Sequence, residues 1–293
     1  MTEELGATGF SKDWLTLREP ADHAARSKTQ LDRFTQWCKP HDAIKLVELG
    51  AGTGSNLRYL MPRLGHNQQW LLVDNDAALL EHLPGLLQEW ADAHNAQLIW
   101  NAEKLEVKHA NFSATIYTQL IELANQLDQL RLNDTQVITA SALLDLTSAA
   151  WLDKLASKII KHQCACLFAL NYNGTIQWQP ELTYDDTVSN LLNLHQLGDK
   201  GFGPALGPQA GYYLASQLEQ QGRQVFIDSS NWQIDESSVA LQMAIVEGWA
   251  PAAIEQDGDA AEEVSAWLEQ RKAQIHARFS RLTVEHCDVL ALP

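Results

Sequence analysis

The chain has 293 residues, 37 acidic against 21 basic, for a net charge of −16. That balance argues against a polyanionic partner, because nucleic-acid binders cluster Lys and Arg, and no basic run here exceeds Arg271-Lys272. No stretch approaches the ~18 uninterrupted apolar residues of a membrane span, and the polar opening 1–13 lacks the apolar core of a secretion signal, so a cytoplasmic protein with no membrane partner is expected.

Helical spacing predicts a first helix over 21–37, the body of an N-terminal cap over 1–40. An apolar strand follows (Ile44, Leu46, Val47, Leu49) and runs into Gly50-Ala51-Gly52-Thr53-Gly54. Glycine at every second position lets the backbone approach a ligand closely, and the helix predicted over 55–64 offers free N–H groups at its start. Pro62 is expected to end or kink that helix. A second strand, Trp70-Leu71-Leu72-Val73-Asp74, closes on a carboxylate, which in nucleoside-binding folds accepts both ribose hydroxyls. A helix over 77–93 comes next, with Pro84 as an irregularity. The third strand can be placed only loosely, within 98–118.

A helix-like stretch, 120–130, leads to a clear fourth strand, 136–140, then a helix over 148–161 and a fifth strand over 164–170. The region 171–211 reads as irregular, with Gly198, Gly201, Gly203, Gly207 and Gly211 and, between them, Pro204 and Pro208, and as a lid or substrate insert. Helix 212–221 and a sixth strand, 225–227, follow. Two helices, 238–247 and 264–279, flank an acidic linker, 255–263. A last strand over 282–293 completes seven. Alternating strands and helices mean an α/β fold, a doubly wound and mostly parallel seven-stranded sheet over 41–293. The cysteines, Cys38, Cys164, Cys166 and Cys287, lack C-x-x-C spacing and read as reduced, mostly buried thiols; no metal site is expected.

The glycine turn departs from the dinucleotide fingerprint G-x-G-x-x-G. Its third glycine comes one residue early, and Glu48 would repel a pyrophosphate. Glu48-Leu49-Gly50-x-Gly52-x-Gly54 with Asp74 resembles the class I S-adenosylmethionine-dependent methyltransferases, of small-molecule type, over nearly the whole chain. The resemblance implies a Rossmann-like methyltransferase fold and S-adenosyl-L-methionine as cofactor, held by Glu48, Gly50, Ala51, Gly52, Gly54, Asp74 and Asn75. It further implies that Ser141 lies beside the methionine half, that Arg18 pairs with the methionine carboxylate, and that Glu122-Leu123-Ala124 forms the adenine pocket.

The expected activity is methyl transfer to an oxygen or nitrogen of a small polar molecule. No Asn/Asp-Pro-Pro-aromatic motif follows the fourth strand, which pulls further from DNA bases. His195, titrating near neutrality, is the expected base, with Asp199 or Asp145 orienting it; Asp145 reads equally as a helix cap. Lys200 offers a cation to the substrate, and Asn171, Tyr172 and Trp232 are expected to open onto the same cleft. His286 reads as a core or edge histidine. Three rivals remain: an RNA or protein methyltransferase, an NAD-dependent oxidoreductase, and a catalytically silent S-adenosylmethionine-binding protein.

Overall fold

A computed structural model describes residues 10–101 and 103–293. Two helices precede the sheet, α1 (Lys12–Ala25) and α2 (Lys28–Cys38), where the sequence reading has one. Serine separates them: Ser11 and Ser27 each accept an N–H from the first turn of the following helix, at Trp14 and Gln30, which satisfies a donor that the helix leaves open. The chain continues through β1 (Ala43–Leu49), α3 (Ser55–Leu64), β2 (His66–Asp74), α4 (Ala77–Ala93), β3 (Gln97–Trp100), β4 (Leu105–His109) and β5 (Phe112–Leu120). Short α5 (Leu123–Gln126), β6 (Val137–Ser141), α6 (Ala149–Lys161), β7 (Ala165–Gln179), α7 (Asp185–Gln196) and α8 (Ala210–Gln220) come next. The last elements are β8 (Gln224–Ser229), β9 (Trp232–Ile234), α9 (Val239–Gln256), α10 (Ala261–His276) and β10 (Arg281–Leu292). Helix α3 continues through Pro62 to Leu64 instead of stopping there.

The sheet runs β3-β4-β5-β2-β1-β6-β7-β10-β8, with β9 attached to β10. From β5 to β7 every pairing is parallel, and β10 enters antiparallel between β7 and β8. Seven of these strands are those expected. The other three are β3 and β4, which extend one edge as an antiparallel meander onto β5, and β9. Side chains alternate across the sheet with period two. Val47, Leu49, Ile138, Ala140, Cys166 and Phe168 pack on α6 and α8. Ile44, Leu46, Trp70, Leu72, Val137 and Leu167 face α2, α3 and α4. The sheet is thus covered on both faces, as a parallel sheet requires. All four cysteines are free and buried.

The region 171–211 differs most from its reading. β7 continues to Gln179, because Tyr172, Ile176 and Trp178 alternate with Asn173, Thr175, Gln177 and Gln179 and so offer one apolar face. Val188, Leu191 and Leu192 then mark the buried face of α7. Irregular backbone is confined to the short link 180–184, to 197–206 and to the 3-10 turn Gly207–Gln209. The β7 extension, β9, the start of β10, α7, α9 and α10 share a third core. Trp14, Leu17, Ala21 and Ala25 of α1 pack against it. The acidic linker is largely helical, being the end of α9, the 3-10 turn Gly258–Ala260 and the start of α10. No helix among the described residues is long and apolar enough to cross a membrane.

Candidate functional site

In open α/β sheets ligands bind past the carboxyl ends of the strands. A cavity of about 480 Å³ lies there, above β1, β2, β5 and β6, within the usual range for small-molecule sites. The glycine turn forms its floor. Gly52 sits at φ +53 and donates its N–H to Asp74 Oδ2 at 2.6 Å. Gly54 caps α3 at φ +82, and a Cβ there would lie 2.4 Å from Leu83 Cδ1. Glycine is needed at Gly54 for helix packing, and Gly54 is not among the residues that line the cavity.

Glu48 is the most unusual group. It is 1% exposed, lines the cavity, and its Oε2 has no hydrogen-bond partner. Burial pushes its carboxyl up to about 8 against the pull of Arg26, Arg58 and Asn56. Asn56 joins Glu48 to the rest of the fold. It accepts from Arg26 Nη1 at 2.8 Å and donates to Thr139 Oγ1 at 3.2 Å. Arg26 faces Asp288 at 3.7 Å. Asp74 also stands above the ordinary carboxylate range through burial, although the N–H groups of Gly52 and Asp76 stabilise its charge.

The N-terminal helices close one side. Arg58 on α3 donates to Thr53 O at 2.6 Å and to Glu19 of α1 at 2.9 Å, which ties α1 to the glycine turn. Leu15, Arg18 and Asp22 of α1 then line the cavity. Arg18 forks onto Asp22 through Nε and Nη2, at 2.9 and 3.2 Å. On the remaining sides stand Asn75 and Glu122, joined at 3.1 Å, the apolar pair Ile121 and Leu123, Ser141 and Leu143, and the rim Lys200-Gly201-Phe202.

The cavity therefore gathers Glu48, Gly50, Ala51, Gly52, Asp74, Asn75, Ser141, Arg18, Glu122, Leu123 and Lys200 of the expected set. Besides Gly54 and Ala124, six others do not line it. His195 ends α7, 3.5 Å from exposed Glu255 and 3.3 Å from Lys200 Nζ. Asp199 Oδ1 accepts the N–H groups of Gly201 and Gly203 and so shapes the loop. Asn171 is buried, donating to the carbonyls of Phe168 and Cys287. Tyr172 donates its hydroxyl to Asn193 at 2.9 Å, and Trp232 its indole N–H to Asp22 at 3.0 Å. Asp145 is buried in the 3-10 turn Leu144–Leu146, and the cap of α6 is Ser148 instead. The sequence reading also passed over Thr53, Asn56 and Asp22. Among the described residues no cluster of three or more His, Cys, Asp or Glu is placed to hold a metal ion.

No protein-family model and no curated protein matches the chain. Among solved structures it is similar to the cyclopropane synthase MmaA2 of Mycobacterium tuberculosis, at 10% identity over 97% of this chain and 95% of that one, with TM-score 0.50. A SAM-dependent methyltransferase from Geobacter sulfurreducens, in complex with S-adenosyl-L-homocysteine, aligns at 13% identity over 97% and 98%, with TM-score 0.44. At such identities the likeness is one of fold. The chain has the Rossmann-like α/β fold of the class I methyltransferases, in which β10 provides the antiparallel strand.

Proposed function

We propose that the protein is an S-adenosyl-L-methionine-dependent methyltransferase acting on an oxygen or nitrogen of a small polar molecule. The observation that carries the reading is the pairing of Glu48 and Asp74 about the glycine turn, both in one cavity, Glu48 with a buried oxygen left unpartnered. A buried acceptor without a donor costs about 1–3 kcal/mol, and a ligand ammonium relieves that cost. A pyrophosphate would add anionic charge beside the Asp74 carboxylate and give Glu48 no cation.

The remaining residues fit the same group. Asp74 accepts the N–H of Gly52 at one oxygen and that of Asp76 at the other, and its remaining acceptor capacity suits two ribose hydroxyls. Arg18 is placed to meet a carboxylate, as Arg does best. Ile121 and Leu123 offer apolar faces to a purine, and Glu122, with Asn75, acceptors for its amino group. When bound, S-adenosylmethionine supplies an electrophilic methyl group on a sulfonium. The chain contributes alignment, which is worth several kcal/mol when reacting atoms are held in line. Helix α1 and the Lys200-Gly201-Phe202 rim exclude water, and that enclosure supports a small substrate over RNA or protein.

Calorimetric titration with S-adenosylmethionine, S-adenosylhomocysteine and NAD tests the reading. Micromolar binding of the two adenosyl ligands and none of NAD is expected. Binding of NAD alone overturns it.

A further inference from the structure

Arg18 lines the cavity, yet its side chain is only 13% exposed. A guanidinium does not lose its charge in a protein, so burying it demands partners. Asp22, one helical turn further along α1, accepts from its Nε and Nη2 at 2.9 and 3.2 Å. The guanidinium carbon lies 5.1 Å from the centroid of the Trp232 ring and 5.7 Å from that of Trp14, both within cation–π reach. Asp22 is itself braced from outside its helix. Its Oδ1 accepts the indole N–H of Trp232 at 3.0 Å, and Trp232 is buried on β9, which pairs with β10. Neither indole lines the cavity, so both serve Arg18 and not a ligand.

This surround fixes the guanidinium without using it up. Asp22 leaves both Nη1 hydrogens and one Nη2 hydrogen with no acceptor among the described residues. That remaining edge, Nη1 with Nη2, is a fork that matches a carboxylate in two bonds. An unbraced Arg would lose side-chain freedom on meeting an anion, whereas Asp22 and the two rings have already removed it here. The amino-acid end of the cofactor is a zwitterion. Glu48 stands in the same cavity to meet its ammonium, which leaves the carboxylate in need of donors. The cavity's other cation, Lys200, is turned to His195 at 3.3 Å.

We propose that Asp22 and Trp232 are positioning residues that hold Arg18 as the receptor for the cofactor's carboxylate. The proposal rests on the S-adenosylmethionine reading above and adds a selectivity to it, since an adenosyl ligand without that carboxylate is disfavoured. Helix α1 alone supplies Trp14, Arg18 and Asp22 but nothing that keeps Asp22 from turning to water. Trp232 comes from β9, so the receptor is complete only when the third core has packed against α1. The third core therefore governs how tightly the cofactor is gripped.

The test is calorimetry of S-adenosylhomocysteine against S-adenosyl-3-thiopropylamine, its analogue lacking only the carboxylate. The wild type is expected to bind the analogue roughly tenfold or more weakly, as loss of a charge-assisted hydrogen bond predicts. Arg18→Met should remove that difference by weakening S-adenosylhomocysteine alone. Trp232→Phe keeps an aromatic face and deletes the N–H that Asp22 accepts, and Trp232→Leu deletes both. They are expected to weaken S-adenosylhomocysteine by about threefold and about tenfold, with analogue affinity within about twofold of wild type. In the Arg18→Met background neither should weaken it further. Equal loss for both ligands marks a merely structural Trp232 and overturns the positioning role, as does unchanged S-adenosylhomocysteine affinity in both Trp232 variants. Equal binding of the two ligands by the wild type, or full S-adenosylhomocysteine affinity in Arg18→Met, overturns the receptor itself. Failure of the wild type to bind either ligand instead removes the cofactor reading, and the proposal with it.

Discussion

The proposed cofactor half of the molecule and the half around its third core are built in different ways. Within the glycine turn itself the bonds are short in sequence, Gly54 to Ala51, Asp76 to Asp74 and, at a separation of 22, Gly52 to Asp74, although Arg58 and Asn56 tie the helix behind it to Glu19 and Thr139. Across the other half they are long: Arg271 to Asp185 spans 86 residues, Leu170 to Asp288 spans 118, and Ser27 to Asp288 spans 261. A compact motif thus forms the proposed cofactor side, whereas the lobe of β7, α7, α9 and β10 exists only once distant segments have packed. Asp288 joins the two halves, holding the start of α2 through Ser27 and the body of β7 through Leu170 while facing Arg26.

The contrast can be broken at several points. The largest effect is expected from Arg271→Ala in the third-core half. Arg271 is 0% exposed, donates to Pro180 O and pairs with Asp185, and breaking a buried pair costs about 3–5 kcal/mol. Urea unfolding measures the loss, and a shift under about 1 kcal/mol would deny the pair that role. Gly54→Ala strikes the local motif. The left-handed backbone costs about 1–2 kcal/mol and the clash with Leu83 about 1–3, so the same unfolding experiment should show a loss of about 2–5 kcal/mol.

Asp74→Asn is expected to act on affinity. Losing a charge-assisted bond costs about 1.5–3 kcal/mol, roughly 10–150-fold in S-adenosylhomocysteine affinity, read by calorimetry. A change within about twofold would show that Asp74 shapes the turn and does not hold the ribose.

Glu48→Gln sharpens the comparison through pH. The unfolded chain ionises Glu48 in the ordinary carboxylate range, while the fold retains its proton up to about 8. The contribution of Glu48 is therefore full at acid pH and is lost as pH rises through 8, where the fold must carry a buried charge. Each pKa unit of difference is worth about 1.4 kcal/mol. Unfolding midpoints for wild type and variant should agree near pH 5, with the variant ahead by at least that amount near pH 9. Parallel pH curves would place the charge of Glu48 in water. The smallest effect is expected for His195→Ala, within about 0.5 kcal/mol in stability and without change in S-adenosylhomocysteine affinity. A large loss of turnover in this variant would return His195 to the site.

Much of the cofactor half was legible because its causes are local. The strand–turn–helix from Ile44 to Leu64, Asp74 at the tip of β2 and the helix Ala77–Ala93 all announce themselves through alternation, glycine placement and apolar spacing within one or two turns of chain. Glu122 and Leu123 reach the cavity as expected, although the meander that places them after β5 was unreadable. Its strands are short, and β3 is largely exposed, so no strong alternation marks it. The β7 extension was legible and overlooked, since Tyr172, Ile176 and Trp178 alternate with polar residues. Glycine density beyond 197 hid that pattern.

Which side chains brace the cavity could not be read along the chain. His195 has the polar neighbours of a catalytic group and lies against Glu255 at the surface. Trp232 sits on a short strand and arrives beside Asp22 only because β9 pairs with β10. A strand's direction and neighbours follow from the packing of the whole sheet, and no local pattern encodes them. Turns, caps and amphipathic faces are decided by atoms a few residues apart, and these the amino-acid order states outright. Pockets assembled from opposite ends of the chain are decided by the fold.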